Sequence, residues 1–221
     1  MEKENQMKGR SNSRNEDPAE ASALRRRRSP KGDERREQIL LAAMKHFADD
    51  GYQSASFAAI AQEVGLSLPG LIHYFPSKVD LLLAILARRD AESGKVIGPS
   101  NPSWRALLQG LVDVVKANTK SAGVVRTFAI LNAESLTRDH PAATWFAERA
   151  RAVSRMAAQC FSEGIAKGEI RSDVRPDQLA AELISMMDGL QMLWLRTPGE
   201  IDMVAIFNSY IDRLIAGIEI R

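Results

Sequence analysis

One cysteine is all the chain has, Cys160, so no disulfide can form within it. Its three histidines, His46, His73 and His140, lie far apart, and none stands at the spacing of a metal site. The chain also lacks a nucleophile elbow and a phosphate-binding glycine loop. With no catalytic constellation in sight, neither an enzyme nor a cofactor nor a metal is expected. No apolar run approaches the length of a membrane span, and the start of the chain is polar and charged where a signal peptide needs an apolar stretch. These features lead to the expectation of a cytoplasmic protein. Strand-like alternation is missing too. Apolar residues recur at helical spacing, and the fold class expected is all-α with about nine helices.

What the chain does have is an ordinary apolar share, 45% of its 221 residues, enough for a sizeable core. The formal net charge of +2 is unevenly spread: residues 1–32 carry a net of +4, residues 33–90 a net of −2, and the remainder is balanced. Residues 1–32 are polar without hydrophobic periodicity and read as a disordered arm. Within that arm, Arg25, Arg26, Arg27 and Arg28 suit either a DNA-following arm or a solvated charge run.

The most informative stretch is residues 56–78. Ser56 caps a short helix whose apolar face is Ile60, Ala61 and Val64. Gly65 supplies a tight corner, Ser67 caps again, and Pro69 sits in the first turn of the next helix, where a missing N–H costs nothing. Leu71, Ile72 and Tyr74 follow before Phe75-Pro76 stops the helix. Two short helices about a glycine corner form a helix-turn-helix, whose second helix can enter a DNA major groove. A preceding helix is expected from about residue 33 to 49, with Ile39, Leu40, Ala43 and Phe47 buried and Gly51 at its end. A fourth starts at Ser77, where Ser77-x-x-Asp80 resembles a capping box. Its two apolar stripes, Val79-Leu82-Leu83-Leu86 and Leu81-Ile85, give it neighbours on two sides.

The string Gly51-Tyr52, Ser56, Ile60-Ala61, Val64-Gly65, Ser67 and Tyr74-Phe75-x-Ser77-Lys78 resembles the tetracycline-repressor (TetR) family of bacterial transcriptional regulators. The resemblance covers roughly residues 33–90 and implies a DNA-binding domain there. It puts Ser67, Leu68, Pro69, Gly70, His73 and Tyr74 at or near DNA, and matches Lys78 to a phosphate-binding lysine. Ser56 suits a phosphate contact as well as its cap. His73 suits a base or phosphate contact, or a plain surface position. Leu68 stands where the family is usually polar or basic, and Ile72 where an aromatic is frequent; Ile72 reads as core. With so few donors on this helix, shape and apolar contacts are expected to outweigh bidentate arginine readout.

Residues 91–221 read as helices at about 103–119, 123–136, 140–168, 176–196 and from the turn at Thr197-Pro198-Gly199 to about 217. Residues 168–181 and 188–195 resemble the subgroup with a choline-responsive, BetI-type C-terminal domain. The resemblance implies a ligand-binding and dimerisation domain, and so a homodimeric repressor released from its operator by a small molecule. The competing reading keeps DNA binding and dimerisation without a ligand. Leu183, Met187, Leu190, Phe207, Tyr210 and Leu214 are the expected dimer surface, as part of a four-helix bundle across a two-fold axis. Asn132, Asp188 and Gln191 are polar groups among apolar neighbours and so candidate pocket residues. Trp104, Phe128, Trp145, Met156 and Trp194 are candidate walls, with plain core packing as the other reading. Asp188 suggests a cationic ligand or an interface hydrogen bond; Cys160 reads as buried packing.

Overall fold

The structure, a computed structural model, describes residues 30–98 and 102–220. Those residues form nine α-helices and no strand: α1 Pro30–Ser54, α2 Phe57–Glu63, α3 Leu68–Tyr74, α4 Lys78–Ile97, α5 Trp104–Thr119, α6 Ala122–Glu134, α7 Ala143–Ala166, α8 Pro176–Arg196 and α9 Met203–Ile218. A lone antiparallel bridge between Ile170 and Glu219 ties the α7–α8 connector to the end of α9. No single helix among the described residues is long and apolar enough to cross a membrane.

One capping device recurs. Ser56, Ser67, Ser77 and Ser103 each accept a hydrogen bond from the backbone N–H three residues on, and Asp202 does the same for α9. Each such cap is worth about 1 kcal/mol. At Ser77 the reciprocal half departs from the expected box. Asp80 Oδ2 takes the Ser77 hydroxyl proton at 2.7 Å, because Asp is one methylene shorter than the Glu of the motif.

Both ends of α1 differ from expectation. α1 begins at Pro30, so residues 30–32 belong to a helix rather than to the arm; proline is tolerated at a first helical position. Gly51 breaks α1 without ending it, and a further turn runs to Ser54. Its φ of 75° and ψ of 165° fall in a region essentially reserved for glycine.

The apolar residues gather into two cores. The first joins Ile39, Leu40 and Phe47 of α1, Ile60 of α2, Leu71 of α3 and Leu81, Leu82, Ile85 and Leu86 of α4. It also draws in Leu131 of α6, Ala142 and Phe146 of α7. The boundary read at residue 90 therefore does not separate two hydrophobic cores. The second core holds Trp104, Leu107 and Leu111 of α5, Phe161 of α7, Leu183 of α8, and Phe207 and Ile211 of α9. Cys160 is buried as expected, its thiol donating to the Pro102 carbonyl at 3.3 Å.

α6 is fastened to α1 at two points. Thr127 Oγ1 donates to the Met44 carbonyl at 3.1 Å, and the Glu134 carboxylate accepts from the Tyr52 N–H at 3.0 Å. The Tyr52 ring stands edge-on to Phe47 at 5.5 Å and to His140 at 5.2 Å. His140 is buried; its Nδ1 accepts from the Ala142 N–H, and its Nε2 has no hydrogen-bond partner among the described residues.

Two predictions follow from this joint. Gly51→Ala should cost about 1–3 kcal/mol, read as a lower urea midpoint, because alanine cannot hold this backbone conformation without strain. Burial pushes the His140 imidazole below its ordinary 6.5, with Glu134 opposing. The unfolded chain is protonated there first, so the contribution of neutral His140 is complete above about pH 6.5 and is lost as pH falls through the lower folded value. Replacing His140 by phenylalanine should flatten that part of the acid decline in thermal midpoint.

Candidate DNA-binding surface and internal cavity

α2 ends at Val64, Gly65 takes a φ of 68°, and the Leu66 N–H returns to the Ala61 carbonyl at 2.8 Å, closing the corner. The Ser67 cap then launches α3. Leu71 is fully buried and Phe75 nearly so, which fixes the rotation of α3. Its outward row is Ser67, Leu68, Pro69, Ile72 and His73. Ile72, read as core, is instead 42% exposed, because Leu71 and Phe75 already fill the inward side. Tyr74 is half-buried against the first core, and its ring meets His73 edge-on at 5.7 Å. Gly70 is half-buried beside the Ser67 cap, to which it donates its N–H.

Lys78 has work inside the chain. Its ammonium donates to the carbonyls of Gln53 at 3.1 Å and Ala55 at 2.9 Å, and lies 4.6 Å from the centre of the Tyr52 ring. Burial lowers its pKa, with Glu134 opposing. Two of its three protons are thus committed to tying the start of α4 to the end of α1, which leaves one for a phosphate. Arg25, Arg26, Arg27 and Arg28 lie outside the described residues.

A cavity of about 250 Å³ lies among α4, α5, α6, α7 and α8. Five expected residues line it: Phe128, Asn132, Met156, Asp188 and Gln191. The three tryptophans do not. Trp104 is buried in the second core and donates its indole N–H to Glu169 at 2.7 Å. Trp145 packs edge-on against Phe146 at 5.0 Å, and Trp194 packs on the second core. Leu136, just beyond the end of α6, is 88% exposed.

The residues missed by sequence reading are charged. Arg89 and Asp90 on α4 and Arg149 on α7 all line the cavity. Arg149 Nε donates to Asp90 Oδ1 at 2.6 Å, and the guanidiniums of Arg89 and Arg149 lie 3.8 and 5.2 Å from the centre of the Phe128 ring. Burial, then Arg149, lowers the Arg89 pKa to about 10 against the pull of Asp188, Asp90 and Glu92. Asp188 is exposed at its outer side, yet desolvation of its carboxyl raises its pKa despite Arg149 and Arg89. A signal did exist in the sequence: the Leu82-Leu86 stripe continues at helical spacing into Arg89, Ser93 and Ile97, so polar residues occupy the inward face. Across the cavity, Gln191 Oε1 accepts from Asn118 at 3.4 Å.

The expected dimer surface needs correction at Leu183, Leu190 and Phe207. Leu183 and Phe207 are fully buried and Leu190 is 6% exposed, all within the second core. Met187, Tyr210 and Leu214 are half-buried against the same core. Both α8 and α9 have two apolar faces, and periodicity alone does not say which turns inward. The large apolar residues left exposed on these helices are Met192, Leu193 and Ile206.

Residues 104–216, more than half of the chain, match the C-terminal domain of BetI-type transcriptional repressors, and residues 39–85 match the bacterial regulatory proteins of the tetR family. The chain belongs to the TetR family. It is similar to the transcriptional activator FasR of Mycolicibacterium smegmatis, 48% identical over 56 residues that span 25% of this chain and 26% of that one. It is also similar to the transcriptional repressor Rv1474c of Mycobacterium tuberculosis, 28% identical over 156 residues, or 71% of this chain and 80% of that one. The structure of a protein from Saccharomonospora viridis in complex with choline shares the fold, with a TM-score of 0.64 at 24% identity over 86% of this chain and 100% of that one. This TetR-family protein is thus a DNA-binding transcriptional regulator with relatives of both regulatory signs. Phe207→Ala should destabilise the TetR fold itself by about 3–5 kcal/mol, the cost of emptying a core site, measured by denaturant unfolding.

Proposed function

We propose that the protein is a homodimeric repressor that docks α3 of each protomer into successive major grooves of a palindromic operator and is released by a small molecule bound in the α4–α8 cavity. The observation that carries this reading is the outward row of α3, which presents Leu68, Pro69, Ile72 and His73 from a helix capped by Ser67. Ser67 and His73 supply the polar contacts. Leu68 and Ile72 suit thymine methyl groups. Ser56, Gly70, Tyr74 and the remaining proton of Lys78 lie at the edges of this surface, where phosphate contacts would set the register.

Two copies meet through the exposed row of α8 and α9 that includes Leu193 and Ile206. A palindromic site presents its half-sites about 34–36 Å apart, so a small change in the separation of the two α3 helices abolishes simultaneous docking. The cavity is suited to cause such a change because α4 contributes both to its wall and to the core beneath α3. A ligand acts only as far as it prefers the released state.

Selection of bound DNA from a random pool, followed by footprinting, tests the reading. A palindrome with half-sites about one helical turn apart is expected; no enriched sequence from folded protein would sink it. Leu193→Asp with Ile206→Asp should give a folded monomer by light scattering whose operator affinity falls at least tenfold, since each half-site is then bound alone.

A further inference from the structure

We infer that the ligand of this cavity is an amphipathic anion, an apolar chain bearing a carboxylate-type head that Arg89 receives, rather than a quaternary ammonium. This rests on the cavity being the effector site proposed above. The charged groups on its wall are Arg89, Asp90, Arg149 and Asp188. Arg149 and Asp90 satisfy each other. Arg89 has no hydrogen-bond or ion-pair partner among the described residues; it is half-buried, with its flat face against Phe128 and its N–H groups left to meet a ligand. A guanidinium offers five N–H donors in a fixed fork that matches a carboxylate, and here that fork is uncommitted on the cavity wall.

The opposite class lacks its receptor. Recognition of a quaternary ammonium uses open aromatic faces. Two guanidiniums already lie over the Phe128 ring. Phe146, the other aromatic on the wall, is edge-packed against Phe128 and Trp145 and 8% exposed. All three tryptophans lie off the cavity wall. Besides its charged groups and the polar Ser93, Asn118, Asn132 and Gln191, the wall carries apolar side chains, among them Leu111, Val153, Met156 and Leu183, which suit a hydrocarbon chain. Asp188 is the one group that favours a cation, and the two arginines lie within its field.

The test uses the full-length protein and three eight-carbon probes: octanoate, octyltrimethylammonium and 1-octanol. Binding is read by titration calorimetry, and release by fluorescence anisotropy of the selected operator. Octanoate should bind best and release the DNA. Arg89→Gln should weaken octanoate roughly tenfold to a hundredfold, the weight of a charged hydrogen bond, while Arg89→Lys recovers part of it. Asp188→Asn should leave octanoate binding equal or tighter, whereas at a cation site it would weaken the ammonium probe. Tighter binding of octyltrimethylammonium than of octanoate overturns the inference and leaves small-molecule release standing. Equal binding of 1-octanol and octanoate overturns it too, since Arg89 would then read no charge. If no probe binds while the operator is held normally, the inference falls without touching DNA recognition.

Discussion

The inward side of α4 is closed by packing over its first two turns, and the rest of the molecule is arranged around that constraint. Leu81, Leu82, Ile85 and Leu86 all lie within 3% of complete burial, against residues from α1, α2, α3 and α6. One turn later the same helix presents Arg89, Asp90, Ser93 and Ile97 to the cavity. A close-packed core does not absorb displacement by local compression. Movement of the cavity end of α4 is therefore passed to the helices under α3 as a shift of a rigid element. The start of the helix is equally constrained, because Lys78 holds the Gln53 and Ala55 carbonyls and Ser77 holds the Asp80 N–H.

The second linkage runs through α6. Thr127 and Glu134 bond the backbone of α1 at Met44 and Tyr52, while Phe128 and Asn132, on another side of the same helix, line the cavity. Glu134 receives the Tyr52 N–H just after the glycine-only break in α1, where the backbone turns out of its helical path. Two helices, α4 and α6, thus carry the cavity wall to two different points of the DNA-binding segment. This explains why the first core ignores the boundary drawn at residue 90, and why Leu131 and Phe146 are as much part of the helix-turn-helix support as Phe47.

The caps and corners of the fold were legible because their chemistry is local. Ser56, Ser67 and Ser77 each need only a backbone N–H three residues on, and Gly65 only a positive φ. What failed was the assignment of faces. Ile72 and Leu71 are neighbours of equal hydrophobicity, and burial of Leu71 is decided by packing against the first core rather than by spacing. The same ambiguity placed Leu183 and Phe207 on a dimer surface when they fill the monomer core. The cavity was half legible: Asn132, Asp188 and Gln191 stood out as polar among apolar residues, whereas Arg89 and Arg149 were not singled out from other cations. Long cationic side chains look alike in sequence whether they reach water or fold over an aromatic ring.

The electrostatics of the DNA-binding segment set how this regulator must find its site. Residues 33–90 carry a net charge of −2, α3 contains no lysine or arginine, and Lys78 is mostly committed within the chain. Counterion release scales with the number of phosphates neutralised. Few such contacts within residues 33–90 mean that this segment itself contributes weak non-specific attraction and a shallow dependence on salt. In the binding mode proposed above, discrimination falls to the fit of Leu68, Pro69 and Ile72 against base edges and groove shape, an apolar contact that is short-ranged and does not survive misplacement. A dimer of the kind proposed depends on both recognition helices being seated at once. In that proposed dimer a modest displacement of α4 would suffice for release, where a highly basic domain would be held on DNA by charge alone.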